Sequence, residues 1–320
     1  MSGSKSLQVL MILLLLCGQI AGCISEESGG EIPSEDEGEF LDVVDQPCDL
    51  DSEYQTQVLT NIFVNGYERS FLLTTPSSQS GELLPIIIAF HAEGESGEDF
   101  PQQQEFDSLA EQEKFIIVYA ISEADRTDAE GDWFLNSAAT SRDDNDFALQ
   151  IVEQLSDVYC VDQTKLYAIG YSLGSMFTYE VACQLNYKFA AVASFGGSMP
   201  VTPESCFLSN NIAVMHIHGK LDLTVDYDED WDWDDGEHVG VGTMSNIPGM
   251  IDDWSERSNC ERRDDHYHLE VEHVVYSNCD GGVNIEHHGM EFQGHAWPNQ
   301  VAGTSTHELI WEFLDDFSKD

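Results

Sequence analysis

From residue 55 onward, two hydrophobic patterns alternate along the chain. Five short runs are almost continuously apolar: 84–90 (LPIIIAF), 115–120 (FIIVYA), 165–169 (KLYAI), 189–195 (FAAVASF) and 212–217 (IAVMHI). Strands of a parallel sheet read this way, because helices cover both of their faces. Between them, 106–114, 147–158 and 173–185 carry apolar residues at helical intervals. In the last of these Leu173, Met176, Phe177, Val181 and Leu185 form one core-facing stripe. Residues 57–75 read as an antiparallel hairpin, and a short strand-like stretch at 283–285 precedes a loop and a terminal helix. This order predicts an α/β fold, a mostly parallel doubly wound sheet with helices on both faces and ligands beyond the strand C-terminal ends. One domain is expected over 51–320, without internal repeats.

The N-terminal pattern is different. Lys5 precedes an apolar run over 9–16 and then small residues, the layout of a signal peptide. The run falls short of the ~20 residues that a spanning helix needs. Ile20-Ala21-Gly22-Cys23 resembles the lipobox of prokaryotic lipoproteins, which implies a signal of lipoprotein type over 1–22 and a lipid on Cys23. An ordinary cleaved signal is the alternative. Residues 23–50 contain acids but no Lys or Arg and bury little, so they read as an acidic disordered tether. Export to the cell surface or beyond is expected on either reading.

Charge narrows the partners. Across 320 residues, 12 Lys+Arg face 60 Asp+Glu, a net charge of −48. Phosphate backbones need clustered cations, so nucleic acid is excluded as a partner. Anionic membranes are disfavoured too, leaving the anchor at Cys23 as the expected membrane contact. Hydrophobic residues still make up 42% of the chain, enough for a core, so the acidity reads as a salt-adapted, halophilic surface. Such a surface predicts a need for high ionic strength. Export also frames the cysteines: apart from Cys17 and Cys23, six remain. They are expected to pair as neighbours: Cys48–Cys160, Cys183–Cys206 and Cys260–Cys279. Without any CxxC spacing, zinc-ribbon or thioredoxin-like chemistry is not expected.

The chemistry concentrates at four places. Gly170-Tyr171-Ser172-Leu173-Gly174 directly follows one predicted strand and opens one predicted helix, the setting of a nucleophile elbow. A nucleophilic serine needs a base and a residue to orient that base; on this sheet they follow it as Asp or Glu, then His. Asp222 lies in a loop after 212–217, and His295 in a loop before the terminal helix, so Ser172, Asp222 and His295 are the expected catalytic residues. Asp226 is the fallback orienter. His287 and His288 are competing bases, read as solvent-exposed. An oxyanion hole needs two backbone N–H groups. Leu173 supplies one, and the turn His91-Ala92-Glu93-Gly94 the other, through Glu93 first and Ala92 second. Trp297, Trp133 and Tyr171 are the expected substrate-binding residues, and no cofactor or metal is expected.

These motifs occur together with Tyr159-Cys160-Val161-Asp162, HIHGKLD at 216–222, a helix around Trp254 leading to Asn259-Cys260, and GHAWP at 294–298. In that combination the chain resembles the secreted polyhydroxybutyrate depolymerase and feruloyl esterase-like branch of the α/β-hydrolases, over about residues 56–318. The resemblance implies an exported serine carboxylic-ester hydrolase with Ser172 as nucleophile, His295 as base and Asp222 as orienter. Its substrates would be a polyester, a feruloylated or acetylated polysaccharide, or a small ester. Two departures stand out: His91-Ala92 where the family has His-Gly, and an elbow reading YSLG. The loop 226–237 is also unusually acidic and rich in Trp.

Competing readings are weaker. Counted from Asp230, an EF-hand would need Gly at 235 and Glu at 241, where Asp235 and Val241 stand. His216 and His218 share a strand face as metal ligands can, but no further compact ligand pair accompanies them. His216 is expected to pack on the sheet and His218 to support the Asp222 loop. A serine peptidase on the same fold, or a lipid-anchored binding protein without catalysis, remain the alternatives of other classes.

Overall fold

A computed structural model describes residues 47–122, 133, 135, 143–203, 206, 208–232 and 241–319. The signal segment, Cys23, most of the tether and the acidic stretch 233–240 lie outside the described residues. Ten strands form the main sheet: β1 (Gln55–Val64), β2 (Tyr67–Thr75), β3 (Leu84–Phe90), β4 (Ile116–Ala120), β5 (Val161–Tyr171), β6 (Ala191–Phe195), β7 (Ala213–Gly219), β10 (Arg262–His268), β11 (Val271–Ser277) and β12 (Ile285–Met290). Two-residue ladders pair β8 (Trp231–Asp232) with β9 (Thr243–Met244), and β13 (Gln300–Val301) with β14 (Thr304–Ser305).

The strand order is β1-β2-β4-β3-β5-β6-β7-β12-β11-β10. The run from β4 to β12 is parallel, and an antiparallel hairpin closes each edge. Every residue of β3 is buried, and its side chains divide by parity. Ile86, Ile88 and Phe90 enter one core, whereas Ile87 and Ala89 enter the other. That division is why the strand reads as one apolar run. The helices are α1 (Gln103–Glu113), α2 (Asp143–Ser156), α3 (Leu173–Gln184), α4 (Ile247–Arg257) and α5 (Thr306–Asp315). Apolar residues of α2, α3 and α4 fill the first core, and those of α1 and α5 the second.

All three disulfides join the neighbours expected from the sequence, Cys48–Cys160, Cys183–Cys206 and Cys260–Cys279. The first corrects the tether boundary. Pro47–Asp49 form a turn of 3-10 helix whose Cys48 is bonded to the residue before β5, so the domain begins ahead of residue 51. A buried pair, Arg69 to Asp144 at 2.9 Å, ties β2 to α2. Removing either partner would strand a buried charge, at a cost of about 3–5 kcal/mol. The β10–β11 hairpin was not legible beforehand. Its outer strand, RRDDHYH, is almost wholly exposed and has no apolar face to betray it.

Candidate active site

The elbow is built by sterics. Ser172 follows β5 with φ 53° and ψ −117°, a left-side conformation that a residue with a Cβ adopts only under constraint. The constraint is local: its N–H donates to the Phe195 carbonyl at 2.9 Å, and its carbonyl accepts from Met176 N–H at 3.0 Å. Glycine is required on both sides. A Cβ on Gly170 would run into the backbone of Gly174, and one on Gly174 into the carbonyls of Phe90 and His91. The turn therefore packs α3 directly on the end of β3, with the Ser172 side chain left beyond the strand end.

His295 arrives from the loop after β12. Its Nε2 lies 2.8 Å from Ser172 Oγ and its Nδ1 2.6 Å from Asp222 Oδ2. Tyr171 holds the same loop by donating its hydroxyl to the His295 carbonyl at 2.7 Å. Gly196, with φ 66°, approaches the ring closely; a Cβ there would sit 3.5 Å from His295 Cε1. Asp222 is 4% exposed, in the loop after β7. Its Oδ1 accepts from the amides of Thr224 and Val225 at 2.8 and 2.9 Å. Burial pushes its carboxyl up. The hydrogen bonds from His218, His295 and the Val225 amide, with the His295 charge, outweigh that and hold it well below the usual carboxylate range.

Behind Asp222 runs a chain of buried rings whose proton positions follow from their partners. The Val225 carbonyl only accepts, so His218 carries its proton on Nε2, 3.0 Å from that oxygen and 3.3 Å from Asp222 Oδ2. Its Nδ1 then accepts from His216 Nε2–H at 2.9 Å, and His216 Nδ1 accepts from the Tyr179 hydroxyl at 2.7 Å. On β12, His287 donates from Nδ1 to the His216 carbonyl at 3.2 Å and accepts from Tyr227 at 2.9 Å. Burial keeps His216 and His287 neutral, the latter with its pKa lowered to about 3. The roles expected for His216 and His218 match this arrangement; Tyr179 and Tyr227 had no signal in the sequence, since each joins the chain from a distant element.

Three expectations need correction. His287 and His288 are each 3% exposed, because β12 is covered on both faces rather than lying in an acidic surface stretch. Trp133 is 1% exposed and wedged against Phe90 and Phe177, with its N–H given to the His91 carbonyl at 2.9 Å; it is a core residue, not a pocket wall. Asp226 does not reach the histidine line: its carboxylate caps its own turn through the amides of Asp228 and Glu229. Trp297 does lie at the site. It is half-buried and edge-on to Phe100, Tyr171 and Phe195, with its N–H donated to Gln102 Oε1 at 3.0 Å. One feature escaped the sequence: an apolar recess one turn past Ser172, lined by Leu135, Met176, Tyr179, Met199, Pro200 and Met244. Its walls come from four separate segments, which no local pattern links.

The turn after β3 is set by His91. Ser122 N–H donates to its Nε2 at 3.1 Å, so Nδ1 carries the proton and donates to the Ala92 carbonyl at 2.7 Å. Burial lowers its pKa and keeps the ring neutral. The Ala92 carbonyl also accepts from Glu95 N–H at 3.2 Å, so the peptide is held from two directions.

Comparison with known proteins agrees with this fold. Residues 77–231 match the phospholipase/carboxylesterase family model. A bifunctional acetylxylan esterase/xylanase of Neocallimastix patriciarum is 22% identical over 74% of this chain and 31% of its own length. Feruloyl esterase B of Piromyces equi is 22% identical over 78% of this chain and 45% of its own. The chain thus spans about a third to a half of the length of these curated relatives. Among solved structures, an acetyl xylan esterase from Aspergillus awamori superposes with a TM-score of 0.60 at 15% identity, covering 81% of this chain and 99% of that one. The elbow at the end of β5, the sheet order and these relatives converge: the chain has the α/β-hydrolase fold and is similar to feruloyl and acetylxylan esterases.

Proposed function

We propose that the protein is a serine carboxylic-ester hydrolase, with Ser172 as nucleophile, His295 as general base and Asp222 as the orienter of His295. The observation that carries this reading is the unbroken line from Ser172 Oγ to His295 to Asp222, at 2.8 and 2.6 Å, beyond the ends of parallel strands. His295 Nε2 takes the Ser172 proton as Oγ attacks the ester carbonyl carbon. The tetrahedral oxyanion is met by the amides of Leu173 and Glu93. In a trans peptide the N–H points opposite to the C=O. With the Ala92 carbonyl held by His91, the Glu93 N–H is turned the other way, toward the open side of its turn. Collapse expels the alkoxide, which takes the proton from His295. Water, deprotonated by the same nitrogen, then releases the acid and restores Ser172.

The acyl group belongs against Trp297, and the esterase relatives favour acetyl or feruloyl groups. Cleavage of a hydroxybutyrate polyester is the finer alternative inside the same chemistry. Three disulfides support export, and Cys23 is the proposed lipid anchor, with the acidic segment after it as tether. The surplus of 48 negative charges supports a protein working in strong salt. The test is hydrolysis of methyl ferulate, acetylated xylo-oligosaccharide and a 3-hydroxybutyrate oligomer in molar KCl, with Ser172→Ala as blank. Turnover of any of the three that vanishes in the variant supports the reading, and the preferred ester names the branch. Rates no higher than the blank on all three would refute it.

A further inference from the structure

His288 has a chemical problem that its neighbour lacks. It is 3% exposed, and neither ring nitrogen has a hydrogen-bond partner among the described residues. A neutral imidazole carries one donor and one acceptor, and leaving both unmet in a buried place costs about 1–3 kcal/mol each. Such a group calls for an explanation. Its surroundings supply one. His273, directly opposite on β11, stacks on His288 with ring centroids 4.1 Å apart. Glu286, two residues back on the same face of β12, places Oε2 3.2 Å from His273 Nε2 and 3.9 Å from His288 Nε2. One ligand atom from each of the three lies within 4.8 Å of the others.

We propose that His273, Glu286 and His288 form a binding site for a divalent transition-metal ion of the zinc class. Two imidazoles and one carboxylate are the donors that zinc takes at about 2.0–2.2 Å, and ligand atoms around one such ion stand about as far apart as these do. Calcium and magnesium demand more oxygens than this cluster offers. Burial holds His288 in the neutral form that a metal requires, with a pKa well below its ordinary value. The site opens outward through His273 and Glu286, whose side chains are 32% and 18% exposed, so an ion has a route in and a fourth position remains for water or for His266. His266 is the cross-strand neighbour of His273, with ring centroids 5.9 Å apart. Binding turns the two stacked rings so that their in-plane lone pairs converge. The ion then bridges β11 to β12 and pins the edge hairpin to the parallel sheet. The cluster lies on the opposite face of β12 from His287, so it is separate from the rings behind Asp222.

The test is isothermal titration of full-length, tag-free protein with zinc after removal of metals by chelator, in molar KCl to screen the acidic surface. One saturable site per chain is expected, accompanied by a rise in Tm. His273→Ala and Glu286→Gln change partly exposed side chains, so both variants should fold; far-UV circular dichroism checks this. Each should weaken zinc by more than the ~10–100-fold that losing an outer-shell partner costs. His288→Ala should do the same if it folds. His295→Ala, which removes the partly buried histidine of the active site, should leave the affinity unchanged. The proposal fails if the wild type shows no saturable site, if His273→Ala and Glu286→Gln bind as tightly as wild type, or if calcium displaces zinc at equal concentration.

Discussion

His287 and His288 are adjacent on one strand, equally buried, and differently connected. His287 faces the core of α2, α3 and α4, where both of its nitrogens are engaged, by the His216 carbonyl and by Tyr227. His288 faces the other core with neither nitrogen engaged among the described residues, beside a carboxylate and a stacked second histidine. Burial alone therefore does not tell what a histidine is for. His216, His218 and His287, whose nitrogens are all engaged, belong to the scaffold behind Asp222, and His91 is fixed in the same way in the turn after β3. The one whose nitrogens are unmet marks a place for a ligand. Strand parity separates the two roles, because one step along a strand moves a side chain from one core to the other.

The largest test acts at the open end of the connected face. Asp222→Asn keeps the shape but loses the carboxylate that fixes the His295 proton on Nδ1, and kcat should fall by about 10⁴. Zinc affinity should not change, because the cluster on β12 lies on the opposite face of the sheet. A kcat within tenfold of wild type would remove Asp222 from the mechanism, and a joint loss of zinc affinity would erase the distinction between the faces.

Acid should weaken both faces together. His91, His216, His287 and His288 all have pKa values lowered mainly by burial. The unfolded chain protonates such a group near 6.5, whereas the folded chain resists until far lower, about 3 for His287. Their stabilising effect is complete above about pH 6.5 and declines as pH falls, by up to about 1.4 kcal/mol per pH unit for each group. Asp222 depends on pH in the same direction, but in a lower window. Its carboxyl is held below the unfolded value near 3.9, so it adds nothing to the slope until the pH falls under that value. In molar KCl, Tm should thus drop between pH 7 and pH 4, before most carboxylates titrate. Saturating zinc should steepen the drop, since protons then compete with the ion. A Tm constant down to pH 4 would show that the buried rings carry no such penalty.

How much of this was legible beforehand follows from where each signal sits. The parallel strands announced themselves because burial on both faces leaves unbroken apolar runs, and Ser172 because a tight strand-to-helix turn imposes glycine at fixed offsets. Asp222 and His295 followed from chain order relative to those strands. The β10–β11 hairpin stayed hidden, since an edge strand exposed on nearly every residue has no periodicity to read. The burial of His287 and His288 was missed for a related reason: acidic neighbours suggest solvent, although cross-strand partners decide. Trp133 was misjudged because a tryptophan near a site looks alike in sequence whether it lines a pocket or fills a core. The recess past Ser172 assembles residues from 135 to 244, so only the folded chain brings it together.

A subtler change probes the link between Asp222 and the rings behind it. His218→Gln removes the ring whose Nε2–H lies near both Asp222 and the Val225 carbonyl. Loss of a hydrogen bond to a charged group is worth about 1.5–3 kcal/mol, which is ~10–100-fold in kcat if it is felt in the transition state. A positioning role also predicts a split: kcat falls, KM stays, and the acid limb of the pH profile moves to higher pH as the Asp222 carboxyl loses support. Loss of Tm with an unchanged profile would reduce His218 to a packing residue.

The smallest expected effect is the most informative about substrate. Trp297 is two residues past His295 and meets Phe100, Tyr171 and Phe195 edge-on, an arrangement that leaves it half-buried rather than closed into the core. If its ring contacts an aromatic acyl group, Trp297→Ala should lower kcat/KM for methyl ferulate about 2- to 10-fold more than for an acetyl ester, since an aromatic pair is worth about 0.5–1.5 kcal/mol beyond its buried area. A Trp297→Phe variant should restore much of that selectivity, because it keeps a ring although it loses the hydrogen bond to Gln102. Equal losses on both esters would instead mean that Trp297 acts by bracing the loop of His295. In that case kcat should fall together with kcat/KM on both esters, because the base itself is displaced.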